Sequence, residues 1–159
     1  MNPTLIRTLT IAVTLSCLQL GCAGKPPATL GPKEGGLAAC LDKPNCVVSM
    51  SAADETHFVE PLTYAIGERQ AYALLRQVVA AQDRTAIVEQ GDRYLRAEFK
   101  SRLFRFVDDA EFYFPPDAPV IHVRSASRIG HSDLGVNRKR IESIRRQFDD
   151  AVNRTVGGN

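Results

Sequence analysis

The sequence has almost no excess of either charge, with 20 Lys and Arg against 18 Asp and Glu and a formal net charge of +2. Proteins that bind nucleic acid non-specifically carry a clustered positive excess, so we expect no nucleic acid among the partners. Long apolar runs are absent beyond residue 22, which excludes a later membrane-spanning helix, since one needs about 18 such residues. An apolar fraction of 44% and a length of 159 residues instead predict one globular domain.

The common signatures of enzyme chemistry are missing as well. The sequence contains no nucleophile elbow, phosphate-binding loop or HExxH motif. Its three histidines, His57, His122 and His131, lack the spacing of metal ligands. We therefore expect neither a metal nor another cofactor.

Residues 1–21 have the pattern of a lipoprotein signal peptide. Arg7 is the only charged residue, and the apolar segment Leu9–Leu20 has the usual length of a signal core. A small residue, Gly21, then precedes Cys22, which is typical of a lipoprotein cleavage site. We expect Cys22 to be acylated after cleavage, so that its acyl chains attach the protein to a lipid bilayer.

Alternatives to acylation at Cys22 remain open at this stage. Gln19 occupies a position where a branched apolar residue is more usual, and Cys17 is a second candidate with a shorter apolar core. A plain secretory signal and a short helical anchor are further possibilities. Position 24 is Gly rather than Asp, which by resemblance to bacterial lipoproteins favours the outer membrane, with the protein facing the periplasm.

Residues 22–39 are rich in Gly and Pro and offer almost nothing to bury, which predicts a flexible linker that lifts the folded part off the bilayer. The folded domain is predicted to occupy residues 40–159. At its start, Cys40 and Cys46 are candidates for a disulfide, because two closely spaced cysteines in an oxidising compartment usually pair. Free thiols are the alternative.

The patterning of the domain predicts an α+β fold with two layers, a four-stranded antiparallel sheet and two helices packed on one face. Apolar residues at helical spacing predict helices over 67–81 and near 137–152. Short connections favour an antiparallel meander. Its predicted strands are Thr85–Glu89, Tyr94–Lys100, Phe104–Phe114 and Val120–Ser127, preceded by a short strand over Thr56–Leu62.

Alternation along these strands separates an apolar face from a charged one. The apolar face is predicted to contain Leu95, Ala97, Phe99, Phe104, Phe106, Ala110, Phe112, Phe114, Ile121 and Val123. The charged face is predicted to contain Arg96, Glu98, Lys100, Arg105, Asp109, Glu111, His122 and Arg124. Because only two helices are predicted, we expect them to cover the apolar face and leave the charged face in solvent.

Three segments resemble the DUF1499 family. They are PNCVVS at 44–49, YLRAEFKSRLFRFVDDAEF at 94–112 and IHVRSASRIGHSDLGVNRKRIESIR at 121–145. The resemblance spans about residues 40–150, and its most specific stretch is RSASRxGxSDLGxNRxR. His131 stands where Tyr is more usual. The family has no assigned activity, so the resemblance implies a domain type but no function, and its exported members are often small lipoproteins.

Basic residues at the start of the last predicted helix oppose its dipole, so local energetics alone would not select them. Together with free helix amides, these basic residues favour a binding site for a phosphate or a carboxylate. The alternative is an internal network in which these arginines pair with nearby acids. The candidate ligand-binding residues are Arg105, Asp108, Asp109, His122, Arg124, Ser125, Ser127, Arg128, Asp133, Asn137 and Arg138.

The leading functional hypothesis is therefore a non-enzymatic, membrane-attached envelope protein that binds an anionic small molecule, a lipid headgroup or an envelope protein through its basic helix terminus. One alternative is a hydrolase that uses the region of Asp108, Asp109 and His122. His122 and Ser125 are separated by an odd number of positions and so face opposite sides of a regular strand, which argues against their pairing. A second alternative is a purely structural envelope component.

Overall fold

A computed structural model of the protein describes residues 24–157. The predicted signal peptide, Cys17 and Cys22 lie outside this range. The fold is mixed α+β, with a mostly antiparallel sheet and two helices in the described residues. No helix within residues 24–157 is long and apolar enough to cross a bilayer. The elements are β1 (Cys46–Val48), β2 (Leu62–Thr63), α1 (Glu68–Ala80), β3 (Thr85–Gln90), β4 (Tyr94–Lys100), β5 (Val107–Tyr113), β6 (Val120–Ser127) and α2 (Val136–Gly157).

The sheet contains six strands rather than the four predicted. Strands β3 to β6 form the expected meander, and both β1 and β2 pair with the free edge of β6. The strand predicted over Thr56–Leu62 is wrong in extent, because regular pairing begins only at Leu62. Strand β1 has three buried residues in succession and therefore shows no alternation that would reveal it in the sequence.

The strand predicted over Phe104–Phe114 begins later, at Val107. Residues 101–106 are an exposed loop in which Arg105 has a φ of 55°, a left-handed conformation that interrupts a strand. The placement of Phe104 and Phe106 on the apolar face is therefore wrong. Their rings stack on each other instead, with centroids 5.4 Å apart.

Both helices pack on the apolar face of the sheet. Their buried residues recur at the spacing of one helix face, and they join the apolar residues of the strands in a single core. Helix α1 contributes Ala71, Leu75 and Val79, helix α2 contributes Ile141, Ile144, Phe148 and Val152, and the sheet contributes Leu95, Ala97, Phe99, Ala110, Phe112, Ile121 and Val123. This side of the sheet thus supplies the apolar burial that drives folding.

The described part of the predicted linker, residues 24–39, does not extend away from the domain. We call it the cover segment. It lies across the charged face of the sheet, where the Gly31 amide donates to Glu111 at 2.8 Å and the Gly24 carbonyl accepts from Arg128 at 3.5 Å. A Gly- and Pro-rich composition predicts a lack of regular structure, but it does not prevent backbone groups from bonding to buried charges.

A disulfide joins Cys40 to Cys46, with Cα atoms 5.7 Å apart. Cys46 is the first residue of β1, so the bridge connects the end of the cover segment to the edge of the sheet. Such a bridge limits the distance that the cover segment can move from the charged face.

The loop after the disulfide is held by His57. Its Nδ1 lies 2.7 Å from Asp54 Oδ2, and its Nε2 lies 3.1 Å from the Lys43 carbonyl. Because both partners are acceptors, the doubly protonated imidazolium satisfies both contacts. Burial lowers the pKa of His57, but the hydrogen bonds to Asp54 and Lys43 outweigh it, so the pKa lies above its ordinary value.

We expect His57→Gln to remove a pH-dependent part of the stability. A raised folded-state pKa stabilises the protein fully below the unfolded value of about 6.5, and this contribution is lost as the pH rises through the folded value. The difference in unfolding free energy between wild type and variant should therefore be largest in acid and shrink above neutral pH. Urea titrations from about pH 5 to about pH 9 measure it. A difference that does not change with pH would show that His57 has the same pKa in the folded and unfolded states, and one that grows with pH would show that the fold holds it neutral; either result would contradict the raised pKa.

Candidate functional site

The predicted site residues fall on opposite sides of the sheet. In β5, Asp108 points toward the helices and its neighbour Asp109 points to the charged face, as alternation requires. In β6, Ser125 contacts helix α2, whereas Arg124 contacts Glu111 on the charged face. Asp108 and Ser125 therefore belong to one cluster, and Asp109 and Arg124 belong to another.

The cluster on the helix side is closed by its own hydrogen bonds. Arg140 donates to Asp108 at 2.6 Å and to Ser125 at 3.1 Å, and its guanidinium lies 4.5 Å from the ring centre of Phe99. The buried Asn137 accepts from Ser125 at 2.6 Å and donates to Ser127 at 3.1 Å. These contacts join β5 and β6 to the first turn of α2, so we interpret this cluster as structural.

The N-terminus of α2 is not available as an anion-binding site. The Asp133 carboxylate accepts from the amides of Gly135 at 2.9 Å and Asn137 at 2.7 Å, which satisfies the amides that would otherwise bind an anion. Arg138 donates to the carbonyls of Phe58 at 2.6 Å and Thr56 at 2.8 Å. The side chain of Asp133 thus already caps this helix terminus, which argues against an anion bound there.

Arg105 and His122 also lie away from the other candidates. Arg105 belongs to the exposed loop 101–106 rather than to the charged face. His122 Nδ1 lies 3.1 Å from the hydroxyl of Ser49, and burial lowers the pKa of His122, which favours the neutral imidazole. Ser49 is buried and its hydroxyl also accepts from the Val123 amide at 2.9 Å, so the pair joins the chain after β1 to β6.

The three residues of the hydrolase alternative do not converge. Asp108 lies on the helix side, and Asp109 and His122 lie on the charged face. Asp109 is opposite Ala126 in the β5–β6 register, four residues from His122, which corresponds to about 13 Å along the strand. No contact in the described residues links any two of the three. Nor do residues 24–157 contain a cluster of His, Cys, Asp or Glu side chains that could hold a metal ion.

The charged face contains a buried ion network. Glu98 and Asp109 lie directly opposite each other on β4 and β5, a like-charge pair that is unfavourable by itself. Arg128 resolves the repulsion because its guanidinium contacts both carboxylates, with Nε 2.7 Å from Asp109 Oδ2. Arg96 adds a contact to Asp109 at 3.0 Å. The hydrogen bonds to Asp109 and Glu98 raise the pKa of Arg128 above its ordinary value.

Glu111 is the most buried charge of this network, with an exposed fraction of 0%. Arg124 donates to it at 3.0 Å, the Tyr94 hydroxyl at 2.8 Å and the Gly31 amide of the cover segment at 2.8 Å. Burial and the neighbouring Glu111 carboxylate raise the pKa of Tyr94, so its hydroxyl keeps the proton that it donates. The carboxylate is buried because the cover segment excludes water from it.

A cavity of about 340 Å³ remains between the cover segment and the charged face. Four basic side chains and one acidic side chain are among the residues that line it, namely Lys25, Lys43, Arg124, Arg128 and Asp109. Lys25 and Lys43 are exposed, and neither forms an ion pair with another described residue. The cavity therefore has a positive lining even though the network beneath it is nearly balanced.

Arg124, which lines this cavity, has one buried group without a partner. Its side chain is 6% exposed, its Nη1 donates to Glu111, and its buried Nε has no hydrogen-bond partner among the described residues. A buried donor without a partner costs about 1–3 kcal/mol, so native proteins rarely leave one. A ligand oxygen that reached this atom would satisfy the donor.

The family comparison agrees with the resemblance seen in the sequence. The model described as "Protein of unknown function (DUF1499)" matches residues 36–148. The chain belongs to this family. No curated protein and no solved structure matches the chain.

The DUF1499 match includes most of the cavity but not all of it. Lys43, Asp109, Arg124 and Arg128 lie within the matched residues, whereas Lys25 and the first part of the cover segment precede them. The floor of the cavity is thus part of the DUF1499 domain, and part of its roof lies outside the match.

Sequence reasoning missed several residues of the DUF1499 cavity and its floor. Alternation predicts Glu98 and Glu111 on the charged face but marks neither as a site residue, and Lys25 and Lys43 fall in the predicted linker and in a loop. The alternation of β4 and β5 could have grouped Glu98 and Glu111 with Asp109. No sequence signal places Lys25 over the sheet, because the path of a Gly- and Pro-rich segment depends on backbone contacts.

Proposed function

We propose that this protein is a non-enzymatic envelope protein that binds a small phosphate- or carboxylate-bearing ligand in the cavity beneath the cover segment. The unpartnered Nε of Arg124 supports this most directly, since it is a buried donor of a side chain that lines a cavity with an excess of basic side chains. A guanidinium presents parallel N–H groups that match phosphate and carboxylate oxygens. Lys25 and Lys43 would add charge at the rim.

Inorganic phosphate is the probe that tests this proposal. We expect it to raise the melting temperature of the wild type in a saturable way relative to chloride at equal ionic strength. The double variant Lys25→Ala/Lys43→Ala should weaken phosphate binding about tenfold, which corresponds to about 1.4 kcal/mol. Both side chains are exposed and unpaired, so their loss should leave the fold intact.

Lys139→Ala is the matched control, because Lys139 is an exposed lysine on helix α2, on the other side of the sheet. It should bind phosphate as the wild type does. An equal loss of binding in the control would show that phosphate binding depends only on the overall charge of the protein and not on the cavity. A wild type without a saturable response would contradict the proposed site.

For the location of the protein, we propose acylation of Cys22 and attachment to the outer membrane facing the periplasm. The support is the apolar leader, the Gly21–Cys22 pair and the glycine at position 24. Mass spectrometry of the mature N-terminus should find an acylated Cys22. An N-terminus without acyl chains, or one that begins elsewhere, would contradict the attachment.

A purely structural envelope component is the second candidate function. The pairing of Arg96, Arg128 and Arg140 with buried acids favours it, because such networks fix a fold without binding a ligand. The phosphate titration separates the two functions, since a structural protein has no reason to bind phosphate saturably in this cavity.

A further inference from the structure

One end of the domain has a cluster of exposed apolar side chains, which we call the apolar tip. It consists of Leu103, Phe104 and Phe106 in the loop between β4 and β5, and Leu134 and Val136 at the start of α2. Leu103 is 82% exposed, Phe104 69% and Leu134 86%. Single exposed apolar residues are ordinary, but five of them at one end of a domain are typical of an interaction surface.

The two loops leave the sheet at the same end. The loop 101–106 joins β4 to β5, and the loop 128–135 follows β6, whose Ser127 is paired with Asp108 near the start of β5. A shared hollow lined by Lys100, Ser101 and Arg102 on one side and Val136 and Lys139 on the other shows that the loops are neighbours. The apolar side chains therefore lie on neighbouring segments at the same end of the domain.

Basic residues surround the apolar tip. Lys100, Arg102, Arg105 and Lys139 lie between or beside its apolar side chains, and none of them forms an ion pair within residues 24–157. The nearby acids are already engaged, since Asp108 pairs with Arg140, Asp83 pairs with Arg84 and Asp133 caps α2. An apolar centre with a basic rim complements a bilayer that contains anionic lipids, because the apolar groups enter the acyl region and the cations contact the headgroups.

The path of the chain leads to the same end. Gly24 packs beside Arg128, whose amide donates to the carbonyl of Val107, the first residue of β5. Val107 directly follows Phe106 of the apolar tip. Acyl chains on Cys22, two residues before Gly24, would thus enter the bilayer next to the tip.

We propose that the apolar tip inserts into an anionic bilayer and holds the domain on the membrane, with the loop between β5 and β6 directed away from it. The cover segment then does not serve as a spacer, because its residues lie along the charged face. This inference is independent of the anion cavity, and it requires no acyl chain, although acylation at Cys22 would strengthen the contact.

Because the sequence contains no tryptophan, a single introduced indole reports its own surroundings. The full chain carrying Phe104→Trp is compared with the full chain carrying Pro116→Trp, an exposed position between β5 and β6 at the opposite end. Both variants are added to phosphatidylglycerol vesicles with brominated acyl chains. We expect quenching several-fold stronger at position 104, and we expect Arg102→Gln/Arg105→Gln in the Phe104→Trp background to reduce it.

Three results would overturn the inference. Equal quenching at positions 104 and 116 would mean that the domain has no fixed orientation on the bilayer. An indole at position 104 that is accessible to aqueous iodide but not to bromolipid would place the tip in water. Shielding from both quenchers would mean that protein, such as a second copy of this chain, covers the tip. A far-UV circular dichroism spectrum equal to that of the wild type shows that each variant is folded.

Discussion

Replacement of Arg124 by Met is expected to lower the free energy of unfolding by about 3–5 kcal/mol, because it leaves Glu111 as a buried carboxylate without its cation. Glu111 would keep only the Tyr94 hydroxyl and the Gly31 amide, two neutral donors. Neutral donors do not compensate a charge taken out of water. Urea titration at neutral pH measures the loss.

A double-mutant cycle separates this mechanism from a simple loss of packing. Glu111→Gln keeps an acceptor for Tyr94 and Gly31 but removes the charge. In the Arg124→Met background it should therefore recover part of the lost stability, which is a positive coupling between neighbouring sites. Ordinary surface substitutions change the free energy of unfolding by less than about 0.5 kcal/mol. A loss that small for Arg124→Met alone would contradict a buried ion pair between Arg124 and Glu111.

Asp109→Ala is expected to destabilise the protein by a similar amount, about 3–5 kcal/mol. Asp109 is 1% exposed and accepts from both Arg96 and Arg128, so its removal leaves two guanidinium groups with too few acceptors. It also leaves Glu98 as the only carboxylate in contact with Arg128. Because the network is buried, added salt should change this loss only slightly.

Asp108→Ala provides the matched control from the next position in the chain. Asp108 is 13% exposed and makes one ion pair, with Arg140, which also bonds to Ser125 and Asn137. Its removal should cost clearly less stability than that of Asp109. Equal losses of unfolding free energy for the two variants would show that Asp109 contributes no more to stability than Asp108 does, which would contradict a buried network on the charged face.

The sequence predicts regular elements well where alternation or helical spacing is long. Strand β6 has the predicted bounds, Val120–Ser127, and α1 starts and ends within one residue of its prediction. The start of β5 could not be located from the sequence, because Phe104 and Phe106 continue the apolar alternation. The strand is nevertheless interrupted there by the positive φ of Arg105. Backbone conformation of this kind leaves no mark in a hydrophobic pattern.

The candidate site was harder to predict than the fold. Alternation predicts Arg124 and Asp109 on a charged face that is left in solvent, whereas both are buried and the cover segment lies over this face. Local sequence carries little information about such tertiary contacts, which involve the Gly31 amide and the Gly24 carbonyl. The orphaned Nε of Arg124 is visible only once the position of every neighbouring acceptor is known.

The most direct test of the anion cavity is the nitrogen-15 spectrum of the arginine Nε–H groups during a titration with inorganic phosphate. The Arg124 signal is assigned by its absence in Arg124→Lys, and Arg140, on the other side of the sheet, serves as an internal reference. We predict a saturable shift of the Arg124 signal with little change at Arg140. An Arg124 signal that does not move at saturating phosphate, or that moves no more than Arg140, would contradict a binding site in the cavity.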